Sequence, residues 1–238
     1  YCEEKEERLQ KLQDYDSYLA QLQKELKQRR QELEAAAEQL SSERKAQALQ
    51  LEKAIETELK DLNFAEVQFQ IHFDKLADYT ADGVDDVEFL ISMNPGQPVK
   101  PLAEVASGGE LSRTMLAIKT VMADRDEIET LIFDEIDVGI SGRTAQKVSE
   151  KMAVIGRNHQ VICITHLAQI AAQADQHYLI EKTVDGGVTR TEIRKLSEEE
   201  SIDELARILG GAEITETVRM SAREMKSMVK SNAVKNKK

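Results

Sequence analysis

The sequence predicts an α/β fold with a long helical arm in front of it. Residues 1–62 contain neither Gly nor Pro, and a Leu recurs at every seventh position from Leu12 to Leu40. From residue 63 onward the pattern changes to short apolar runs that alternate with amphipathic helical segments. A seven-residue apolar repeat is typical of coiled coils. Strands that alternate with helices indicate a parallel sheet covered by helices on both faces.

The arm rests on one apolar seam. Its core positions are Leu12, Tyr15, Leu19, Leu22, Leu26, Leu33, Ala36 and Leu40. After Leu40 the register slips by one, and Ala48, Leu51, Ile55 and Leu62 continue it. A helix of this length cannot bury such a stripe alone. We therefore expect residues 1–62 to be one strand of an antiparallel coiled-coil arm. The alternative is an amphipathic helix that packs on a globular body.

Residues 63–238 are expected to form one further lobe. Alternating apolar residues predict a strand from Val67 to Phe73, a second strand covers Val87 to Ile91, and Asn94 to Pro98 mark a loop. The next elements are expected to be a helix over Glu110–Met122, a strand over Leu131–Phe133, a helix over Arg143–Ile155 and a strand over Val161–Ile164. A hairpin at the sheet edge should follow, with strands over Tyr178–Glu181 and Val188–Ile193 that are split by Asp185-Gly186-Gly187. Helices over Ile202–Leu209 and Ile214–Val229 and a disordered tail over Lys235–Lys238 complete the prediction.

Composition narrows the function classes. The formal net charge of −12 argues against a surface that coats nucleic acid indiscriminately. The two cysteines, Cys2 and Cys163, make no disulfide framework, which fits a reducing cytosol. No run of about 18 apolar residues is present, so no membrane span is expected. The chain begins at Tyr1 and contains no Gly-Lys pair of the kind that ends a phosphate-binding loop, so we expect a piece of a longer protein.

The run Ser107-Gly108-Gly109-Glu110 opens a predicted helix. Two glycines let the backbone approach a ligand closely, and a Ser hydroxyl can bond a phosphate oxygen. The N-terminus of a helix also favours negative charge. Alone, such a run is more often an ordinary loop. Its place before a helix and upstream of an apolar strand that ends in two acids favours a phosphate site.

Asp134 and Glu135 directly follow the apolar strand Leu131–Phe133. Acidic residues at the carboxyl end of a parallel strand lie where such sheets bind ligands. Asp134 is expected to help hold Mg²⁺, usually through water, because this cation prefers oxygen and keeps part of its hydration shell. Glu135 is expected to orient the attacking water. The alternative is that both acids begin a solvent-exposed loop.

His166 follows the next predicted strand. An imidazole there can donate a hydrogen bond to a γ-phosphate. A lone His at a strand end is more often structural, and only its context singles this one out. His72, His159 and His177 lack that context and are expected to be structural or surface residues.

These motifs resemble the carboxyl-terminal half of an ABC-class ATPase head of the SMC-like type. Ser107–Glu110 is similar to the signature motif, Leu131–Glu135 to Walker B with its catalytic Glu, and His166 to the switch histidine. More closely, residues 103–113, 132–143 and 164–171 resemble the RecN family of bacterial DNA-repair proteins. The resemblance covers nearly the whole chain and is most specific over residues 104–180.

The resemblance implies an ATP-dependent cycle. Two heads would sandwich two ATP molecules with Mg²⁺, and the homodimer would separate after hydrolysis. Asp134, Glu135 and His166 would serve the nucleotide held by the Walker A loop of their own head, which lies in an amino-terminal half outside this chain. Ser107, Gly108, Gly109 and Glu110 would close over the ATP of the opposite head. DNA is the implied partner, duplex ends in particular, in the bacterial cytoplasm at the nucleoid.

The D-loop implied by the resemblance comprises Asp137, Val138, Gly139, Ile140 and Ser141. Ser141 stands where most ABC and SMC heads have Asp, which puts the usual contact across the dimer in question. The implied function is ATP hydrolysis coupled to double-strand break repair and recombination. The alternatives are another SMC-like chromosome-maintenance ATPase and a coiled-coil scaffold with a non-hydrolysing head. A transporter's nucleotide-binding domain is disfavoured by the preceding heptads.

Overall fold

The computed structural model describes residues 1–94, 96–105, 107–123, 127–185, 188–211 and 213–235. Its helices are α1 Cys2–Gln13, α2 Tyr15–Asp61, α3 Gly108–Met122, α4 Gly142–Ile155, α5 Ala168–Ala171, α6 Glu198–Gly210 and α7 Glu216–Lys235, with a 3-10 helix at Leu102–Glu104. Its strands are β1 Gln68–Thr80, β2 Gly83–Ser92, β3 Lys100–Pro101, β4 Thr130–Phe133, β5 Gln160–Cys163, β6 Tyr178–Asp185 and β7 Val188–Lys195. The predicted α/β class with a long amino-terminal helix is confirmed.

The chain divides into two compact units. The first consists of residues 1–51 and 71–88, and the second of residues 52–70 and 89–238. Strands β1, β2 and β3 form a three-stranded sheet in that order. None of the helices in the described parts of the chain combines the length and the hydropathy that a membrane crossing requires.

In the first unit, the tip of the β1–β2 hairpin packs on α2. Ser41 donates a hydrogen bond to Oδ1 of Asp85 over 2.5 Å, and Arg44 donates to the carbonyl of Asp82 over 2.7 Å. Gly83 has a φ of +99°, and a Cβ placed on it would lie 3.3 Å from Leu40. The hairpin therefore covers the face of α2 from about residue 40, where the heptad register slips.

The seam before residue 40 is exposed. Leu12 keeps 65% of its surface in solvent and Leu26 keeps 55%. The helix also breaks once: α1 ends at Gln13, and the hydroxyl of Ser17 bonds the carbonyl of Asp14 over 2.8 Å. The predicted single helix over residues 1–62 is therefore two helices. A Ser side chain competes for local backbone groups in this way, which weakens a helix.

In the second unit, β4 and β5 pair in parallel with Phe133 opposite Cys163. Helix α3 packs on α4, and α4 on α5. A small core of buried Ala, Ile and Leu side chains holds α5, α6 and α7 together. It consists of Ala168, Ala171, Ala172, Ile202, Leu205, Ala206 and Ala222.

Two predictions about the sheet are wrong. The hairpin β6–β7 exists but forms a separate two-stranded sheet, not an edge of the parallel one. The parallel pair is also not covered on both faces: Phe133 is buried, but Ile132 is 68% exposed and its partner Ile162 is 44% exposed. An apolar run shows that a strand has side chains suited to burial, but it does not show which other elements pack against them. Pro95, Ala106, Gly186, Gly187 and residues 236–238, which the sequence assigned to loops and a tail, lie outside the described residues.

Candidate functional site

The signature run forms the beginning of α3. Ser107 is the N-cap, and its hydroxyl accepts a hydrogen bond from the backbone N–H of Glu110 over 3.5 Å. A Cβ placed on Gly108 would overlap Oε2 of Glu135. A Cβ on Gly109 would lie 3.0 Å from the carbonyl oxygen of Glu135 and 3.1 Å from that of Val138. Gly109 is therefore required for the close packing of the helix start on the loop after β4, whereas a side chain at Gly108 would displace the Glu135 carboxylate.

Asp134 and Glu135 directly follow β4, and local hydrogen bonds hold their backbone in a turn. Oδ1 of Asp134 accepts a hydrogen bond from the N–H of Glu135 over 2.9 Å. The hydroxyl of Ser112 donates to the carbonyl of Asp134 over 2.7 Å. Glu135 has a φ of +57°, in the left-handed region. That conformation costs a residue with a Cβ about 1–3 kcal/mol, and such strain is common at functional sites.

The predicted D-loop is a chain of turns between β4 and α4. The N–H of Val138 bonds the carbonyl of Glu135 over 3.1 Å, and the N–H of Ile140 bonds that of Asp137 over 3.4 Å. Gly139 has a φ of +74°. Ser141 is the N-cap of α4 but makes no side-chain capping bond, so its hydroxyl is not committed to the helix.

Arg113 fastens this loop to α3, a role that the sequence analysis missed. Its guanidinium donates to the carbonyl of Val138 over 2.9 Å and to that of Ile136 over 3.4 Å, and it lies 5.3 Å from the centre of the Phe64 ring. Arg113 is 6% exposed. Burial lowers the pKa of this side chain, and the charge of Glu110 opposes that effect. A signal existed in the sequence, because an arginine four residues after Gly109 falls on the apolar face of the helix.

Asp137 joins the loop after β4 to the loop after β5. It is 3% exposed, and its Oδ2 accepts hydrogen bonds from the hydroxyl of Thr165 over 2.5 Å and from the N–H of His166 over 2.8 Å. Nδ1 of His166 lies 3.0 Å from the same oxygen, whereas the His166 side chain is 72% exposed. The ring thus has one edge fixed by protein and the other open to solvent.

The site is acidic. Burial, and then the charges of Asp137 and Asp134, raise the pKa of the Cys163 thiol to about 12. Cys163 therefore stays protonated at neutral pH and is not a nucleophile. The structure brings together Ser107, Gly108, Gly109, Glu110, Asp134, Glu135, the D-loop residues 137–141 and His166 within the second unit.

The residues present fit Mg²⁺ in one specific way. Oδ2 of Asp134 receives no hydrogen bond from any residue that the structure describes. Within those same residues, no three His, Cys, Asp or Glu side chains are grouped so that they could hold a metal ion alone. Mg²⁺ commonly binds through one or two carboxylates together with water and substrate phosphates. A single open carboxylate oxygen suits that mode.

The other three histidines make contacts with protein groups. His159 bridges the carbonyls of Ile128 and Ala123 over 2.7 and 3.0 Å. Nδ1 of His177 lies 2.9 Å from the hydroxyl of Ser201, and His72 lies 3.4 Å from Asp74.

Curated relatives of this chain are DNA repair proteins named RecN. The one from Halalkalibacterium halodurans is 42% identical over 229 residues, which is 94% of this chain and 40% of the relative. The one from Bacillus subtilis is 38% identical over 240 residues, 94% of this chain and 42% of the relative. The one from Treponema pallidum is 52% identical over 143 residues, 60% of this chain and 25% of the relative. The chain thus spans about two fifths of the length of the first two.

No protein-family model matches the sequence. Among solved structures, a Smc head domain with a coiled coil and joint from Pyrococcus yayanosii is 24% identical, with a TM-score of 0.48 over 68% of this chain and 29% of that one. A structure described in work on the dimerisation of SMC ATPases is 21% identical, with a TM-score of 0.43 over 71% of this chain and 96% of that one. On the curated relatives, this chain belongs to the RecN family of DNA repair proteins and matches their carboxyl-terminal part.

Proposed function

We propose that this chain is the carboxyl-terminal part of an SMC-like DNA repair ATPase. In this proposal residues 1–62 form one strand of the coiled-coil arm and residues 63–238 form the head lobe. One observation carries the proposal: β4 is followed directly by Asp134 and Glu135, with the start of α3 packed against Glu135 and His166 held by the nearby Asp137. The identity of 38–42% to RecN proteins over 94% of the chain supports it independently.

The residues would divide the work of ATP hydrolysis. Asp134 would hold Mg²⁺ through its open oxygen, and the bound ion neutralises charge on the phosphates. Glu135 would orient and polarise the attacking water, and His166 would donate a hydrogen bond to the γ-phosphate. The phosphate loop of the same head would come from the amino-terminal part of the complete protein, because no Gly-Lys pair occurs in this sequence.

The start of α3 would act on the nucleotide of a second head. Ser107 supplies a hydroxyl, and Gly108 and Gly109 supply backbone N–H groups at a helix N-terminus, with Glu110 completing the motif. ATP would thus hold a homodimer of heads together, and its hydrolysis would release them. We propose that this cycle acts on duplex DNA ends in recombination and repair, in the bacterial cytoplasm.

The test is ATP hydrolysis by the complete protein, with no DNA, with linear duplex and with closed circular duplex. Glu135→Gln should lower turnover by about 10²- to 10⁴-fold, the usual contribution of a positioned base. Glu213→Gln is the matched control, since Glu213 is an exposed acid between α6 and α7. Stimulation by linear but not by circular DNA supports action at ends.

Two results would redirect the proposal. Turnover indifferent to DNA would keep the ATPase and remove the coupling to repair. ATP binding without turnover in the wild-type protein would favour a scaffold with a non-hydrolysing head. The 238-residue chain alone is expected neither to bind ATP tightly nor to hydrolyse it, which equilibrium dialysis with labelled ATP would measure. Sustained hydrolysis by this chain alone would contradict the assignment of the phosphate loop to another segment.

A further inference from the structure

One carboxylate oxygen of Asp137 contacts both Thr165 and His166 in the loop after β5. Oδ2 of Asp137 lies 2.5 Å from the Thr165 hydroxyl, 2.8 Å from the His166 N–H and 3.0 Å from Nδ1 of the His166 ring. Asp137 follows β4 and His166 follows β5, and these strands are neighbours in parallel. One carboxylate oxygen therefore sets both the backbone position and the ring orientation of the histidine.

The chemistry of the contact fixes which ring nitrogen is available. An ionised carboxylate only accepts hydrogen bonds, so Nδ1 must carry the hydrogen that it shares with Asp137. Nε2 is on the opposite edge of the ring, and the His166 side chain is 72% exposed. A second functional group can therefore meet His166 at Nε2 alone.

We propose that Asp137 is a positioning residue for His166 in ATP hydrolysis. This inference rests on the proposed function and assigns Asp137 a task within its own chain, apart from any contact of the D-loop with a second head. Asp137 is 3% exposed, and its bonds go to Thr165 and His166. It acts on the nucleotide through the imidazole.

The arrangement predicts which kinetic constant changes. Asp137→Asn keeps a similar shape, but a neutral amide oxygen is a weaker acceptor than a carboxylate. We expect kcat to fall by about 10- to 100-fold, by analogy with the outer partners that orient metal-binding imidazoles. The KM for ATP should change less than about threefold, because the ring contributes chiefly in the transition state.

The decisive experiment is a double-mutant cycle in the complete protein. Asp137→Asn, His166→Ala and the double variant are compared with the wild type. If Asp137 acts through His166, the double variant is no slower than His166→Ala alone. If Asp137→Asn slows the His166→Ala background as much as it slows the wild type, Asp137 acts independently and the inference is overturned. An unchanged kcat in Asp137→Asn also overturns it.

A matched control separates positioning from folding. Asp85→Asn makes the same change at another buried carboxylate, which accepts from Ser41 and Arg44 at the β1–β2 hairpin. It should leave kcat unchanged. Equal losses of kcat in Asp85→Asn and Asp137→Asn would show a general effect on folding and overturn the inference.

A spectroscopic measurement does not depend on turnover or on an Asp137 variant. In complete protein labelled with ¹⁵N-histidine, the His166 signals are assigned as those lost in His166→Ala. A hydrogen on Nδ1 supports the inference, and a bare Nδ1 overturns it even if the ATPase is confirmed. If the wild type shows no turnover, the proposed function fails, and this signal still decides whether Asp137 fixes the ring.

Discussion

Lys151 joins α4 to the end of α2, and replacing it tests how firmly the two helices are held. Its Nζ lies 2.5 Å from Oε2 of Glu58 and 3.0 Å from Oδ2 of Asp61. Burial lowers the pKa of Lys151, but the hydrogen bonds to Glu58 and Asp61 outweigh burial and raise it. The side chain of Lys151 is 11% exposed, and those of the two acids are 26% and 52% exposed.

These exposures determine how much stability the Lys151 ion pairs are expected to contribute. Breaking a fully buried ion pair costs about 3–5 kcal/mol, and breaking an exposed one costs about 0.2–1 kcal/mol. Because both acids keep part of their hydration, we expect Lys151→Met to cost about 1–2 kcal/mol in local opening. That corresponds to amide exchange about 5- to 30-fold faster, since about 1.4 kcal/mol is a factor of ten.

Hydrogen exchange of the complete protein measures this locally, which suits a chain with more than one unit. The faster exchange should be confined to α4 and residues 52–61. Lys147→Met is the control on the same helix: its pair with Glu150 is exposed, and its removal should change exchange by less than about twofold. Equal effects of the two variants would refute the argument, because the difference in burial would then have no consequence.

Three further predictions concern the second unit. Gly108→Ala should lower ATP turnover at least about tenfold, because the new methyl group displaces the Glu135 carboxylate. The melting temperature should stay within about 2 °C of the wild type, because the displaced group is the flexible end of a side chain. An unchanged rate would contradict this prediction. Arg113→Met should cost about 2–3 kcal/mol in thermal or denaturant unfolding, because the buried carbonyl of Ile136 and the partly buried carbonyl of Val138 lose their donor. A cost below about 0.5 kcal/mol would be inconsistent with this prediction. Burial, and then the charge of Lys226, lower the pKa of His177 below its usual 6.5. The contribution of the neutral His177 to stability should therefore be fully present above pH 6.5 and be lost as the pH falls from 6.5 through the lowered pKa. His177→Gln should show a flatter pH dependence of the melting temperature.

Patterns set by local chemistry were predictable from the sequence. The heptad repeat predicted a long amino-terminal helix, and α2 runs from Tyr15 to Asp61. The Ser-Gly-Gly run predicted a helix start, and α3 begins at Gly108. In both cases the signal lies in neighbouring residues of one element, where periodicity and capping act directly.

Features that need distant residues were not predictable in the same way. Glu135 adopts its left-handed conformation where its loop packs against the start of α3, more than 20 residues earlier in the chain. The proposed role of Asp137 depends on a residue 29 positions away, His166. The separation of β6–β7 from the parallel pair, and the exposed face of Ile132, depend on which surfaces meet, and an apolar run does not encode that.

The hairpin on α2 also fixes a length. Leu40 lies beside Gly83, and Ser41 and Arg44 are bonded to the hairpin. A partner strand of the proposed arm would therefore pair along α2 before residue 41, from Tyr15, the first seam position in that helix, to Leu40. At 1.5 Å per residue, this stretch is about 40 Å long, and it ends where the hairpin packs on α2.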